Sequence, residues 1–301
     1  MTCPTAQDDG RREANTRRED RTPRPVLLSS PEKEPMSLNL LDTSNWLPLD
    51  GLAPGFDANR AATVQDLAGK QFSLRNDGGP MTFSFDDEEV QWAAAGHSGT
   101  APYEAFLVAE DLYYAQWQSQ QDHELAVSLV LDLLHGRALY IGAALGRATA
   151  SSVAVQHDFR PGTLDGHLST GAAISGSNAL IGRRVEWVYS ESHAYEHIYL
   201  SPTWYTWQCL AGPERGLADT DSNTVFQIRP GIFVFTWREK VIPCGSVTIA
   251  DHRDPRAIRS HGSLFGWDEA GTEPVHFTFG AHGRLISISR HSAELDPATG
   301  M

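Results

Sequence analysis

Histidine and tyrosine alternate along residues 193–199, whose sequence is HAYEHIY. Because successive side chains of a β-strand point to opposite faces, a strand here would carry both kinds of ring on one face. That face would hold His193, Tyr195, His197 and Tyr199. Turned into a barrel, such rings can stack on a small molecule and hydrogen-bond to it; turned outwards, they would form a solvated face. We expect the inward orientation, with Tyr195 as a catalytic residue.

The same segment matches the His-x-x-Glu-His pattern of one class of zinc peptidases. Two histidines four residues apart can bind one metal ion on a helix, where they lie about 6 Å apart. The neighbouring Tyr and Ile residues favour a strand, on which His193 and His197 would stand about 13 Å apart. The sequence therefore predicts no metal site.

A carboxylate occurs among aromatic residues in the segment 233–240, whose sequence is FVFTWREK. By alternation, one face of a strand here carries Phe233, Phe235, Trp237 and Glu239, and the other carries Thr236, Arg238 and Lys240. Desolvation by aromatic rings raises the pKa of a carboxyl group, which is the usual condition for a general acid at neutral pH. The alternative is a structural Glu239 that pairs with an arginine across strands.

Together these side chains predict a proton-transfer site. The predicted catalytic residues are Tyr195, Glu196, Glu239 and His261. The predicted substrate-binding residues are His193, His197, Tyr199, Tyr205, Trp207, Trp237, Arg238 and Lys240. A glutamate or a histidine would move the proton, tyrosines would orient the substrate, and Arg238 or Lys240 would hold a substrate carboxylate. Arg238 and Glu239 are adjacent, so both can face the substrate only across a bulge.

Two parts of the chain resemble each other in register. Leu67-Ala-Gly69-Lys70 corresponds to Leu180-Ile-Gly182-Arg183, and LYYAQW at 112–117 corresponds to IFVFTW at 232–237. Matches at a slowly growing offset indicate an internal duplication. Both parts consist of short runs of alternating apolar and polar residues, bounded by Gly, Pro, Asn and Asp, which is typical of strands. We therefore predict an all-β fold of two tandem antiparallel lipocalin-like barrels, since closure removes sheet edges.

The domain boundaries follow from composition. The first residues are rich in charged residues, Pro and Ser and nearly free of aromatics, as in disordered segments, and a later stretch is rich in Gly, Ala and Ser, as in linkers. The predicted organisation is a disordered tail at 1–36, an N-terminal barrel at 37–146, a linker at 147–178, a C-terminal barrel at 179–292 and a tail at 293–301.

The two halves differ in their ionisable residues. The positions that match Arg238 and Glu239 in the first half are the neutral Gln118 and Ser119, and the position that matches His261 is Ile141. We therefore expect the functional site in the second half and a mainly structural first half.

Charge and composition exclude several classes of function. The formal net charge is −14, which repels nucleic acid and anionic membrane surfaces. No apolar run approaches the roughly 20 residues of a membrane span. The three cysteines have no CxxC spacing, which favours reduced thiols in the cytoplasm. We expect a small-molecule ligand, no cofactor and no nucleic-acid or membrane partner, and a homodimer is left open.

The second half resembles the MoaF family, named for molybdenum cofactor biosynthesis protein F. The similar motifs are HAYEHIYL (193–200), YTWQCLAGPERGLADTD (205–221), WREKVIPCGSV (237–247) and HGSLFG (261–266). The resemblance implies two lipocalin-like, or calycin, domains, and it implies no established reaction. A fainter resemblance to single-barrel phenolic acid decarboxylases implies a cofactor-free site built from Tyr195, Tyr199, Arg238 and Glu239.

Three functions are compatible with these residues. The first is a cofactor-independent lyase or isomerase that acts on a small aromatic or carboxylated metabolite. The second is a carrier or sensor that stacks its aromatic residues on a ring such as a pterin. The third is a scaffold for another biosynthetic protein, which would expose an apolar patch. Fold alone does not separate them.

Overall fold

The computed structural model describes residues 43–44, 46–149 and 153–299. These residues belong to one compact unit, Thr43–Met301. The predicted disordered tail at 1–36 lies outside the described residues.

The first antiparallel sheet has nine strands. They are β1 (Gln71–Asn76), β2 (Gly79–Phe85), β3 (Glu89–Ala94), β4 (His97–Pro102), β5 (Glu104–Ala109), β6 (Leu112–Gln118), β7 (Leu125–Asp132), β8 (Arg137–Leu145) and β9 (Val155–Leu164). Their order is β4-β3-β2-β1-β9-β8-β7-β6-β5. The two end strands, β4 and β5, follow each other in the chain, so the sheet curls into a nearly closed barrel.

The second sheet is a closed barrel. Its strands are β10 (Ser175–Gly176), β11 (Arg183–Val188), β12 (Ala194–Tyr199), β13 (Trp204–Ala211), β14 (Ala218–Arg229), β15 (Ile232–Arg238), β16 (Cys244–Asp251), β17 (Ile258–Trp267) and β18 (Pro274–Ile288). The order is β10-β14-β13-β12-β11-β18-β17-β16-β15, and an additional β14–β15 pairing closes the ring. The all-β prediction of two tandem antiparallel barrels is therefore confirmed.

The two barrels repeat one topology, as the internal duplication predicts. The long strand β14 takes the place that β4 and β5 share in the first barrel. The matched glycines make the same hydrogen bond: Gly69 N–H donates to the Phe85 carbonyl and Gly182 N–H donates to the Tyr199 carbonyl, both at 2.8 Å. The first bond joins the turn before β1 to the end of β2, and the second joins the turn before β11 to the end of β12.

The duplicated glycines provide a matched pair of substitutions. Both have a positive φ, +73° at Gly69 and +81° at Gly182, where an L side chain costs about 1–2 kcal/mol. A Cβ at Gly69 meets no atom within 4 Å, whereas one at Gly182 would overlap the carbonyl oxygen of Ser289. We expect Gly182→Ala to lower the free energy of unfolding by at least about 1 kcal/mol more than Gly69→Ala does, because of this overlap. Urea denaturation of both variants checks this, and equal losses would contradict it.

The barrels pack side by side through the outer faces of their strands. Strand β7, whose sequence is LAVSLVLD, is buried along its whole length because its inner face lies in the barrel and its outer face contacts the second barrel. Tyr114 Oη donates to the Val247 carbonyl at 3.2 Å across this contact. Asp132 accepts hydrogen bonds at 2.6 Å from Arg137 of the same barrel and from Arg229 of the other.

The stretch 147–178 is not a linker throughout. It contains β9, which pairs along its whole length with β8 and near its end with β1. Strand β9 thus completes the first barrel, and that barrel extends beyond residue 146, where the sequence placed its end. Strand β9 contains Pro161 and Gly162, which are uncommon inside strands, so its sequence does not indicate a strand.

The segment 46–56 precedes the first barrel but covers one end of the second. We call it the N-terminal segment; it contains the short helix α1 (Leu49–Leu52) and the 3-10 turn Ala53–Gly55. Leu49, Leu52 and Phe56 are 0%, 6% and 7% exposed and belong to the core of the second barrel. A second 3-10 turn, Ala293–Leu295, follows β18.

Candidate functional site

The second barrel holds a small cavity beneath the N-terminal segment. Its volume is about 40 Å³, room for about three water molecules. It is lined by Leu52, Phe56, Tyr189, Tyr195, His197, Tyr205, Trp207, Glu214, Trp237, Glu239, Ile242 and Leu264. Aromatic rings and carboxyl groups therefore dominate its wall.

Strand β12 turns its aromatic face into the barrel. Tyr195, His197 and Tyr199 are 6%, 5% and 2% exposed, and their rings contact other rings of the barrel core. Burial lowers the pKa of His197 to about 3, so its imidazole is neutral. The described residues provide no hydrogen-bond partner for His197 Nδ1.

Glu239 lies just after β15, on the same face as Trp237. The indole Nε1 of Trp237 donates to Glu239 Oε1 at 3.0 Å. Desolvation by burial raises the pKa of Glu239 to about 8, and the neighbouring charge of Asp221 adds to the shift. The side chain keeps some accessible surface because it lines the cavity. Glu239 is thus a protonated acid at neutral pH.

Asp221 is a second acid inside the barrel. It lies on β14, which begins at Ala218, so the segment 219–223 is part of a strand. Asp221 is 1% exposed, and Trp207 Nε1 donates to its Oδ2 at 2.9 Å. Burial, with the nearby Asp219, raises its pKa to about 6.

Glu214 is a third acid, and it comes from a turn. The turn between β13 and β14 folds back, so that Glu214 is 3% exposed and lines the cavity. Tyr195 Oη donates to Glu214 Oε2 at 2.8 Å, and the Leu47 N–H of the N-terminal segment donates to Oε1 at 3.2 Å. Burial raises the pKa of Glu214.

The structure brings together part of the predicted site. Of the predicted residues, those in or around the cavity are Tyr195, His197, Tyr199, Tyr205, Trp207, Trp237 and Glu239. His193 lies at the rim instead, where Ser190 and Ser192 contact its Nδ1 at 3.2 and 3.0 Å and its ring contacts Phe56.

Four predicted residues point away from the cavity, because alternation along their strands puts them on outer faces. Glu196 accepts a hydrogen bond from Arg184 at 2.6 Å, and Lys240 Nζ donates to Asp219 at 2.9 Å. His261 contacts Phe106 of the first barrel, with ring centroids 5.6 Å apart.

Arg238, the fourth, bonds to Ser222, Thr224 and His157. Neither Arg238 nor Lys240 therefore faces this cavity, and their predicted role in holding a substrate carboxylate stays a prediction.

Other lining residues escaped the sequence analysis. Glu214 lies in the Gly- and Pro-containing sequence AGPERG, which reads as an exposed turn. Leu52 and Phe56 reach the cavity from before the first barrel, and no local pattern indicates that. Asp221, which is buried in the barrel but is not a lining residue, could also have been found, since it alternates with Asp219 and Asn223 along a strand.

Two structural findings concern metals and membranes. Within the described ranges, no group of three or more His, Cys, Asp and Glu side chains is arranged to hold a metal ion. In the same part of the chain, no helix is both long and apolar enough to cross a bilayer.

Comparison with known proteins identifies both halves. Residues 44–147 match the family model of the MoaF N-terminal domain, and residues 174–289 match that of the MoaF C-terminal domain. Protein MoaF of Klebsiella aerogenes is 29% identical over 257 residues, which cover 80% of this chain and 94% of that protein.

A solved structure from Burkholderia vietnamiensis, described as a beta-lactamase candidate, is 24% identical over 35% of this chain and 97% of that one. Its TM-score of 0.27 is too low to support any argument. The two family models together cover most of the described residues. The chain therefore belongs to the MoaF family.

Proposed function

We propose that the second barrel binds a small molecule and transfers a proton to or from it, with Glu239 as the acid–base group and without a cofactor. The observation that carries this proposal is the position of Glu239. It is held by Trp237, lines an aromatic cavity, and has a pKa raised by burial to about 8. A general acid works best when its pKa lies near the working pH.

The surrounding groups have supporting roles. Tyr205 is 1% exposed, and its hydroxyl can hydrogen-bond to a ligand. Tyr195 is held by Glu214 and can orient the same ligand. The first barrel has Ser119 in place of Glu239, and its core consists of aliphatic and aromatic side chains. Only the second barrel is therefore proposed to be functional.

The size of the cavity limits how a ligand can enter. At about 40 Å³ the cavity holds only a few atoms, whereas sites for drug-sized ligands measure roughly 300–1,000 Å³. Leu52 and Phe56 of the N-terminal segment form part of the wall. A ligand with an aromatic ring therefore has to displace this segment, and the segment acts as a lid on the proposed site.

A carrier function is the second candidate. The family name links these proteins to molybdenum cofactor biosynthesis, and the indoles of Trp207 and Trp237 could stack on a flat heterocycle. A carrier needs no proton transfer, so only the acid–base enzyme is expected to accelerate proton exchange on the ligand.

We also propose a cytoplasmic location, for which free thiols such as those of Cys209 and Cys244 are expected.

The test is a thermal-shift screen of the full chain against pterins, phenolic acids and aromatic amines, because a ligand raises the melting temperature by mass action. We expect a shift that Glu239→Gln and Tyr195→Phe each reduce. Ser119→Ala, the equivalent position in the first barrel, serves as the matched control and should keep the shift. A shift that neither cavity substitution changes would contradict the site, and no shift with any compound would favour the scaffold function.

Isotope exchange then distinguishes a proton-transfer enzyme from a ligand carrier. The ligand that gave the shift is incubated in deuterated water, and incorporation of deuterium is followed by NMR. The wild-type protein should accelerate exchange, and Glu239→Gln should reduce the rate by about 100-fold or more. Binding without accelerated exchange would establish a carrier.

A further inference from the structure

The cavity has an unusual charge composition. Its polar lining groups are the carboxyl groups of Glu214 and Glu239, phenol and indole groups, and the neutral imidazole of His197. Asp221 lies directly behind Trp207. None of the lining residues, all of which lie in the described part of the chain, is a lysine or an arginine.

Each of the three acids is held by neutral donors. Glu239 accepts from Trp237, Asp221 accepts from Trp207 and from the backbone of Lys240, and Glu214 accepts from Tyr195 and from the backbone of Leu47. The ammonium group of Lys240 is bonded to Asp219 outside the cavity. Buried carboxyl groups without a cationic partner must either stay protonated or receive a cation.

His197 adds an independent observation. Its ring lines the cavity and is 5% exposed, and its Nδ1 has no hydrogen-bond partner among the described residues. Burial keeps the imidazole neutral, so one ring nitrogen is an acceptor. In the tautomer that leaves Nδ1 as the acceptor, it is a buried acceptor without a donor, which is costly, and an N–H group of a ligand would satisfy it.

The remaining wall suits a positive charge as well. Trp237, Tyr205 and Phe56 line the cavity with aromatic rings, and a cation is attracted to an aromatic face, most strongly when it is desolvated. A carboxylate ligand would instead enter a cavity whose lining contains two acidic side chains and no lysine or arginine. The two basic residues that flank Glu239, Arg238 and Lys240, bond to groups outside the cavity.

We propose that the ligand of the second barrel is a small organic cation, a protonated amine next to an apolar or aromatic group, whose N–H groups bind the carboxyl groups and His197. This inference rests on the proposed function and specifies its substrate class. When the ammonium group enters, Glu239 releases its proton to solvent and becomes the counter-ion. Glu214 and Asp221 supply further negative charge.

The experiment compares three probes with the same ring and different charge, namely benzylamine, benzyl alcohol and benzoate. Isothermal titration calorimetry near pH 7 is run on the full chain and on Leu52→Ala, which enlarges the cavity by removing one lining side chain. We expect benzylamine to bind at least about tenfold more tightly than benzyl alcohol, and benzoate to bind least. Titrations in two buffers of different ionisation enthalpy should show release of about one proton with the amine.

Four substitutions sharpen the result. Glu214→Gln and Asp221→Asn should each reduce the preference for the amine over the alcohol. Glu186→Gln is the matched control, because this glutamate lies in the same barrel but bonds to Arg284 on the outer face, and it should leave the preference unchanged. Glu239→Gln should abolish proton release.

The outcomes separate the two proposals. If benzyl alcohol binds as tightly as benzylamine and cavity substitutions weaken both, the binding site stands and the cation preference is overturned. Tighter binding of benzoate overturns it as well. If none of the probes binds to either protein, the small-molecule site itself fails, and the inference fails with it.

Discussion

Replacing Asp132 with alanine is expected to lower the free energy of unfolding by about 3–5 kcal/mol, because two buried guanidinium groups lose their counter-ion. The Asp132 side chain is fully buried, while those of Arg137 and Arg229 are 6% and 9% exposed. Arg229 belongs to the second barrel and Asp132 to the first, so the substitution also weakens the contact between the barrels. Urea denaturation followed by tryptophan fluorescence measures the loss.

An exposed ion pair supplies the control for this substitution. Arg75 and Asp165 are 2.6 Å apart, but their side chains are 73% and 44% exposed. Asp165→Ala should therefore change the free energy of unfolding by at most about 1 kcal/mol. If Asp132→Ala cost no more than this control, the buried cluster would not be a determinant of stability.

The stability of the protein should depend on pH through Glu239. A carboxyl group whose pKa is higher in the folded state binds its proton more tightly there than in the unfolded chain. The stabilisation is fully present below the unfolded pKa, near 4.5, and is lost as the pH rises through the folded pKa of about 8. From about pH 6 to about pH 8.5 the contribution of Glu239 should fall by roughly 2–3 kcal/mol.

The measurement isolates Glu239 from the other titrating groups. The free energies of unfolding of the wild-type protein and of Glu239→Gln are determined at each pH, and their difference is plotted. The buried histidines contribute to both curves and cancel, whereas Asp221 enters the difference through its charge interaction with Glu239. The difference should decline with rising pH, and parallel curves would show that Glu239 titrates normally.

Local alternation predicted the part of the site that lies on regular strands. Tyr195 and His197 on β12, and Trp237 on β15, share inner faces because side chains two residues apart on a strand point the same way. The same rule places Arg238 opposite Glu239, and the structure contains no bulge at this point that would turn both inwards. The sequence shows that Arg238 and Glu239 cannot both face the cavity, but it does not show which of the two does.

Non-local contacts explain what the sequence could not predict. Glu214 lies in a turn whose composition indicates solvent exposure, and only the curvature of the barrel brings it inside. Phe56 precedes the first barrel and packs against Tyr189 and Tyr195 of the second. Strand β9 contains a proline and a glycine, and the ladders with β8 and β1 outweigh its poor strand propensity.

The N-terminal segment precedes the first barrel but covers the second, which affects how the protein folds during its synthesis. Leu47 and its partner Glu214 are 167 residues apart. The segment leaves the ribosome before either barrel, and β18, which completes the barrel it covers, leaves after all other strands. Leu49, Leu52 and Phe56 thus stay without their apolar environment through most of synthesis, and the end of the second barrel is sealed last. Assembly of the site therefore depends on both ends of the described chain.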